Sequence, residues 1–536
     1  MVRRLSTVIP GLVPGIHALD SRVDGRGKPG HDGENQPIER ECSGATLSAA
    51  ARETIPPQAL ARSRSALMSR VEPASGVTFD AYAPVLIVGA GAAGLCAALA
   101  ATEAGADVVV LERDPLPRGS TALSAGLIPA PGTRFQRQHG IEDSAEVFAA
   151  DIQRKNGHEA DPAYVAAVAE AAAPAIEWLA DRYALPFSLV HDFDYPGHSA
   201  RRMHGLPSRS GAELVDRLRE AAEGAGVPIL ADATVTTLFA DPDGAVRGVA
   251  LERPNGTTER IGCEMLVLAC NGYGGNPELV RRHIPEMDGA LYFGHPGNRG
   301  DAVLWGEALG AELRCLGGYQ GHGSVAHPHG ILISWAVIME GGLQVDAAGR
   351  RFSDESHGYS EQAATVLRDA GGVAYDVFDE RIAAVARQFE DFRQAEAAGA
   401  VLAADTIEEL AAMAKLPAAV LAAQLDEVER LKASGGADAF GRSFAGSRPL
   451  RPPFRAVRVT GALFHTQGGL AVDASARVLR RDGGALPNLF AAGGAAAGVS
   501  GSTAAGYLSG NGLLTAVTLG RIAGAAAGRL ALGTCG

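Results

Sequence analysis

The stretch Val85-Leu-Ile-Val88-Gly89-Ala-Gly-Ala-Ala-Gly94 decides the architecture. Val85–Val88 is an unbroken apolar run, the pattern of a strand buried on both faces. The Gly-x-Gly-x-x-Gly that follows opens an Ala-rich helical pattern reaching about Gly105, and a second apolar run, Asp107-Val-Val-Val-Leu111, ends in Glu112. Strand, glycine turn, helix, strand and acid together make a dinucleotide-binding βαβ unit. Gly89 allows the tight turn, Gly91 lets a pyrophosphate approach the backbone, and Gly94 lets the helix lie on the strand, with Ala90 and Ala93 between them. The helix N-terminus offers free N–H groups to the phosphates. Glu112, about 20 residues on, is placed to accept hydrogen bonds from the adenosine ribose, with Arg113 beside it. This unit alone does not separate FAD from NAD.

Around it, the 536 residues exceed what one core usually supports, so two domains are expected. A composition 46 % apolar and 20 % charged is that of a globular protein. The net charge of −13 argues against a nucleic-acid partner, which would need a basic face. The nearest approach to a membrane span, Leu513 to Leu532, is interrupted by Arg521, Arg529 and several glycines. Six scattered cysteines form no Cys-x-x-Cys pair and no haem attachment motif, which points to reduced thiols in the cytoplasm. Without haem or iron–sulfur ligands, electrons need an external donor or acceptor. No metal site is expected: the run His322 to His329 is joined by no carboxylate or cysteine.

Residues 1–79 are expected to be a disordered extension. Val8-Ile-Pro-Gly-Leu-Val-Pro-Gly-Ile-His17 and Asp24-Gly-Arg-Gly-Lys-Pro-Gly-His-Asp-Gly33 hold too much Pro and Gly for a helix or strand. Met68 is the expected true start. Arg3-Arg4 is weighed as a twin-arginine signal and set aside, because prolines break the apolar stretch behind it.

Six further blocks follow Glu112: Arg118-Gly-Ser-Thr-Ala-Leu-Ser-Ala-Gly126, Thr234-Val-Thr-Thr-Leu238, Leu266-Val-Leu-Ala-Cys-Asn-Gly-Tyr-Gly-Gly275, Gly297-Asn-Arg-Gly-Asp301, Leu489-Phe-Ala-Ala-Gly493 and Ser509-Gly-Asn-Gly-Leu513. In kind and order, from residue 84 to the C-terminus, the chain resembles the succinate dehydrogenase/fumarate reductase flavoprotein family, which includes the 3-ketosteroid Δ1-dehydrogenases. The resemblance implies FAD, contacted by Ser120, Thr121, Ser124 and Gly126 of the first block and by Val235 near the adenine. It further implies contacts from Ala269, Asn271, Gly272, Asp301, Gly493 and Gly494, and from Asn511, Gly512 and Leu513 at the start of the last helix. Cys270 and Asn271 depart from the family's Ala-Thr-Gly-Gly strand end, and Gly494 stands where the family usually has Glu. Some members tether FAD through a histidine in the Ser/Thr loop; no histidine lies between Arg113 and Arg137, so FAD is expected to be non-covalent.

In fumarate reductases, two histidines and two arginines hold the dicarboxylate. The histidine positions fall here on Gln320-Gly-His322 and His465-Thr-Gln-Gly-Gly469. The arginine positions do not hold arginine. Four residues past the glutamate of Gly349-Arg-Arg-Phe-Ser-Asp-Glu355 stands Tyr359, and before the last helix stands Tyr507. The family's Glu-x-x-Arg relay is replaced by Trp335 and Ile338. Two guanidiniums bind carboxylates bidentately; phenols in their place leave a buried dicarboxylate without counter-ions. A phenol can instead hydrogen-bond a ketone or move a proton, as the tyrosines of the ketosteroid dehydrogenases do. Tyr359, His465, Tyr507 and His322 are the candidate catalytic residues.

The expected fold is α/β: a Rossmann-type FAD-binding domain (80–317 plus 456–536) carrying an inserted α+β capping domain (318–455). The expected activity is oxidoreduction of a C–C bond next to a carbonyl in a mostly uncharged, cyclic or steroid-like substrate. The alternatives are a dicarboxylate reductase in which Arg299, Arg381 or Arg393 reaches the pocket, and a non-catalytic flavin carrier. A nicotinamide-dependent flavoenzyme would show a second glycine motif, and none stands out between residues 150 and 300. Arg201-Arg202-Met-His204 is expected to be a solvated basic turn.

Overall fold

The computed structural model describes residues 70–191 and 194–533. The expectation for residues 1–69, Met68 included, lies outside the described residues. Ala81–Val88 is a strand, Ala92–Glu103 a helix and Val108–Leu111 a strand. The two strands run parallel, with Val85 opposite Val108 and Val88 opposite Leu111. Thr258–Leu268 lies parallel on the other side of Ala81–Val88, and Ala485–Ala491 lies parallel to it in turn. These strands form the middle of a nine-stranded sheet. Leu86, Ile87, Leu266, Val267, Leu489 and Phe490 are fully buried, which is why their runs show no polar alternation.

The last helix, Asn511–Ala531, crosses Ala92–Glu103 at backbone contact. A Cβ on Gly520 would sit 2.4 Å from the Ala93 carbonyl oxygen, and one on Gly524 would sit 2.0 Å from that of Ala97. The glycine stripe therefore sets the helix close against its neighbour and brings its N-terminus back over the glycine turn. Helix Pro162–Tyr183 is long and apolar enough by composition to cross a membrane. Its Val165, Val168, Ala172, Ile176 and Leu179 face belongs to the main core.

A seven-stranded sheet organises the rest, with Phe454–Thr466 pairing Tyr319–Ala326, Ala374–Asp379, Val401–Ala404 and Leu291–Tyr292. It carries its own core of Val337, Val366, Phe378, Phe392, Leu421 and Val457. Helices pack on this sheet; the Ala-rich stretches 379–398 and 407–433 each read in sequence as one continuous helical pattern, and each is broken. Glu380–Ala386 and Glu390–Ala397 are separated where Phe389 turns extended, and Ile407–Ala414 and Ala418–Ser434 are separated at Lys415 (φ 59°) and Pro417. Proline cannot continue the ladder and disfavours helix before it.

Two expectations are overturned. Residues 70–79 are not disordered: Arg70–Pro73 is a strand parallel to Thr234–Ala240, and Phe79 packs edge-on against Phe239 at 5.9 Å. Four residues with two charges carry no periodic signal, and an edge pairing supplied by the fold decides their state. Nor is Arg201–His204 a solvated turn. Arg202 is 1 % exposed and forks onto Asp143 (2.8 and 2.9 Å) while also donating to Asp151. His204 is fully buried, its Nε2 2.8 Å from Thr133 Oγ1. The basic pair was visible in the sequence; the acids that neutralise Arg202 lie about 50–60 residues away in the chain and permit the burial.

Candidate active site

One cavity is lined both by the glycine turn and by the aromatic residues of the second sheet. At the dinucleotide end, Glu112 is held by two backbone donors, the Ala90 N–H at 2.8 Å and the Asp114 N–H at 3.0 Å, leaving lone pairs for a ribose diol. A Cβ on Gly89 (φ +104°) would lie 2.5 Å from the Ala269 carbonyl oxygen, so the turn tolerates only glycine. Thr121 Oγ1 accepts the Ala92 N–H at 3.0 Å, which draws the Ser/Thr loop over the helix start. Ser120 Oγ accepts from Asn298 at 2.8 Å, and Arg113 donates to the Gly297 carbonyl at 2.7 Å. The glycine cradle, oriented carboxylate and exposed helix start suit an adenine dinucleotide.

Of the residues expected to hold the cofactor, all but Ala90, Gly94, Gly272 and Asn511 line this cavity. Ala90 acts through its amide on Glu112. A Cβ on Gly94 would meet the Gly89 carbonyl, and one on Gly272 would meet Thr466 Oγ1, so both are packing glycines. Asn511 is buried and donates to Ser500 at 2.9 Å. Two departures from the family pattern explain each other: a Cβ at Gly494 would come within 2.2 Å of Asn271 Oδ1. Asn271, at φ 66°, fills the space that a side chain at 494 would take.

The four candidate catalytic residues meet at the other end. Tyr359 is the first residue of helix Tyr359–Asp369, and its hydroxyl donates to Ser509 Oγ at 3.1 Å. Its ring stacks on His322 (4.9 Å, 21°), which stacks in turn on Phe464 (5.4 Å, 23°), while Trp335 meets His322 edge-on at 5.5 Å. Tyr507 lies 6.2 Å from the Tyr359 ring and 5.6 Å from that of His465. His465 closes against the last helix: a Cβ on Gly512 would lie 2.7 Å from its Cε1.

Burial dominates the electrostatics. It pushes His322 down to about 3 and His465 to about 4, so both rings are neutral at physiological pH. The Ser324 N–H reaches His322 Nδ1 at 3.1 Å, which makes Nδ1 the acceptor and leaves the proton on Nε2. His465 Nδ1 lies 3.1 Å from Gln467 Nε2 and 3.4 Å from the Thr466 carbonyl oxygen. Desolvation raises both phenols well above their usual range. The Ser509 hydroxyl, and Tyr507 after it, partly offset this for Tyr359, and the Gly512 and Gly510 amides partly offset it for Tyr507. The only lysine or arginine lining the cavity among the described residues is Arg113, which belongs to the dinucleotide end. Arg381 is paired with Glu340 at 3.0 Å, Arg393 donates to the Arg387 carbonyl, and Arg299 does not line the cavity.

Phe464, Phe293, Ser334, Phe389 and Asp391 line the site without a signal in the sequence, and Ser509, quoted only as the first residue of its block, lines it too. Ser509 had a signal in its place two residues after Tyr507. Lys155, at the end of helix Ala145–Lys155, was also missed. Its ammonium donates to the His357 carbonyl at 3.2 Å and pairs with Glu361, so it grips both sides of Tyr359.

A family model for the FAD binding domain matches residues 84–513. The probable fumarate reductase Ifc3 of Shewanella frigidimarina is 32 % identical over 84 % of this chain and 75 % of its own. A flavocytochrome c3 fumarate reductase in its open conformation superposes with a TM-score of 0.73 at 30 % identity, over 90 % of this chain and 83 % of the other. The 3-ketosteroid-Δ4-(5α)-dehydrogenase of Rhodococcus jostii RHA1, in complex with 4-androstene-3,17-dione, gives 0.67 at 26 % identity, over 86 % and 100 %. The chain belongs to the FAD binding domain family and is an FAD-dependent oxidoreductase.

Proposed function

We propose that this oxidoreductase acts on the C–C bond next to the carbonyl of a largely uncharged, cyclic ketone, in the manner of the ketosteroid dehydrogenase it resembles in fold. The observation that carries this is the lining of the reactive end of the cavity: Tyr359, Tyr507, Trp335, Phe464 and two neutral histidines, with no guanidinium or ammonium among the described residues. A dicarboxylate entering there would lose its hydration without gaining counter-ions. A ketone loses little and gains donors.

FAD, bound non-covalently, supplies hydride exchange at N5. The protein's part is orientation and proton transfer. Tyr507, with the Gly510 and Gly512 amides at its oxygen, donates to the substrate carbonyl and stabilises charge that develops there. The Tyr359–Ser509 pair takes the α proton during dehydrogenation and returns it during reduction. As the β hydrogen leaves with its electron pair, the α C–H electrons become the new double bond. The aromatic stack of His322, Phe464 and Trp335 excludes water and fixes the plane of the Tyr359 ring.

The test is anaerobic exposure of the yellow protein to saturated cyclic ketones, 3-ketosteroids and succinate. Bleaching by a ketone and not by succinate is expected. The other outcome is favoured by the relatives named fumarate reductases; bleaching by succinate alone, with rapid reoxidation by fumarate, would establish it.

A further inference from the structure

Among the described residues, Asp391 is the one charged residue at the aromatic end of the cavity that the proposed chemistry does not use. It lies in the first turn of helix Glu390–Ala397, next to Phe389 on the cavity wall, which also includes Leu332 and Ser334. The residue is half-buried, and among the described residues its carboxylate makes no hydrogen bond and no ion pair. Desolvation, then the neighbouring Glu390, raises its pKa. Acidic residues do favour helix N-termini. That preference is already met by the exposed Glu390, and it does not account for a half-buried carboxylate on the cavity wall. The buried carboxylates elsewhere are compensated: Asp143 and Asp151 by Arg202, Glu355 by Arg351 and Arg442, and Asp376 by Ser324 and Gln344. The half-buried Asp391 carboxylate has no such partner among the described residues, so its acceptor oxygens are available to a ligand in the cavity.

We propose that Asp391 is a specificity residue that accepts a hydrogen bond from the substrate at a point remote from the reacting carbonyl. The substrate class this implies is a cyclic ketone that also carries an O–H or N–H donor. A hydroxyl and an ammonium share that chemistry. Phe389 and Leu332 cover the hydrocarbon beside the donor, and the carboxylate orients the molecule end for end. Orientation of this kind decides which carbonyl of a two-ended substrate reaches Tyr507. The inference rests on the ketone chemistry proposed above.

The test uses the full FAD-loaded chain in its oxidised form, with dissociation constants read from the change in flavin absorbance. The probes are matched 3-keto enones that differ only at the far end: 17-keto, 17β-hydroxy and 17β-amino. The proteins are wild type, Asp391→Asn and Asp391→Ala, each with its FAD content measured to show that it folds. In wild type the hydroxy or amino probe should bind about 10- to 100-fold more tightly than the 17-keto probe, the span of one charge-assisted hydrogen bond. Asp391→Ala should erase that preference and leave the 17-keto affinity nearly unchanged. Tight binding of the amino probe alone assigns an ammonium; tight binding of the hydroxy probe assigns a hydroxyl. Equal selectivity in wild type and Asp391→Ala would overturn the role of Asp391 while leaving the ketone chemistry intact. No spectral change with any probe, against a clear change with fumarate, would remove the ketone chemistry and this inference together.

Discussion

Replacing Tyr359 with Phe removes one hydroxyl and little else. The ring keeps its stack on His322 at 4.9 Å and its edge contact with Trp335 at 6.3 Å, so the packing of the site survives. The structural loss is the 3.1 Å hydrogen bond to Ser509, worth about 1 kcal/mol, or a shift of roughly 2 °C in Tm for a domain of this size. The functional loss should be far larger. A positioned proton-transfer group contributes about 10²- to 10⁴-fold, equivalent to about 3–5 kcal/mol on the barrier. The two effects separate in stopped-flow measurements: the rate of anaerobic flavin bleaching by a saturating ketone should fall by that factor, while Kd moves less than about threefold. In wild type that rate should also rise with pH towards the alkaline limit. The phenol is raised by burial, is neutral near pH 7, and must give up its proton to act as a base. Bleaching at the wild-type rate by the variant, or a wild-type rate independent of pH up to that limit, would take Tyr359 out of proton transfer.

Acid should destabilise the protein through its buried histidines. His198, His204 and His465 are each pushed to about 4 and His322 to about 3, in all four cases first by desolvation. Between those values and the unfolded 6.5 the unfolded chain binds more protons than the folded one, so stability rises with pH across that window and levels off above it. Asp376, pushed up to about 7 by burial, opposes the trend between pH 4 and 7 because its folded form holds the extra proton. Glu361 and Asp391, also raised by desolvation, act in the same sense as Asp376, but His283 and His327 are lowered by desolvation too, and six histidines against three carboxylates leave the slope positive. Thermal melts from pH 4.5 to 7.5 should show Tm climbing, and a falling Tm would contradict the assigned burial. Gly89→Ala should give colourless protein, since the new Cβ meets the Ala269 carbonyl at 2.5 Å at a φ of +104°; full flavin content in the variant would refute that turn geometry. Gly494→Glu should lose most of its bound flavin for want of space beside Asn271, and Asn271→Gly in the same chain should restore part of it. Lys155→Met should slow bleaching at least about tenfold with Kd little changed, and Lys155→Arg should recover most of the rate, because the ammonium holds Tyr359 through His357 and Glu361.

The dinucleotide half was legible because its signals are local. A strand buried on both faces, three glycines with distinct steric duties and an acid at fixed spacing all lie between Val85 and Glu112. The reactive end was legible only by likeness: Tyr359, Tyr507, His322 and His465 lie far apart in the chain, and only family order brought them together. What escaped depends on contacts between distant segments. Arg202 reads as a surface cation because nothing near it in sequence announces Asp143 and Asp151. Lys155 pairs with Glu361 across more than 200 residues, and Asp391 is an ordinary first-turn acid until the helix bearing it is laid against the cavity. Arg70–Pro73 is a strand only because Thr234–Ala240 offers it an edge.

The claim on which the rest depends is that the cavity beside the flavin presents phenols and neutral imidazoles rather than guanidiniums. A crystal structure of the FAD-loaded protein with a cyclic ketone bound tests it directly. We expect the carbonyl oxygen within about 3 Å of the Tyr507 hydroxyl, the α carbon facing the Tyr359–Ser509 pair, and no arginine or lysine nitrogen in contact with the ligand. A ligand held instead by an arginine side chain, with both tyrosine hydroxyls turned away from the flavin, would contradict it.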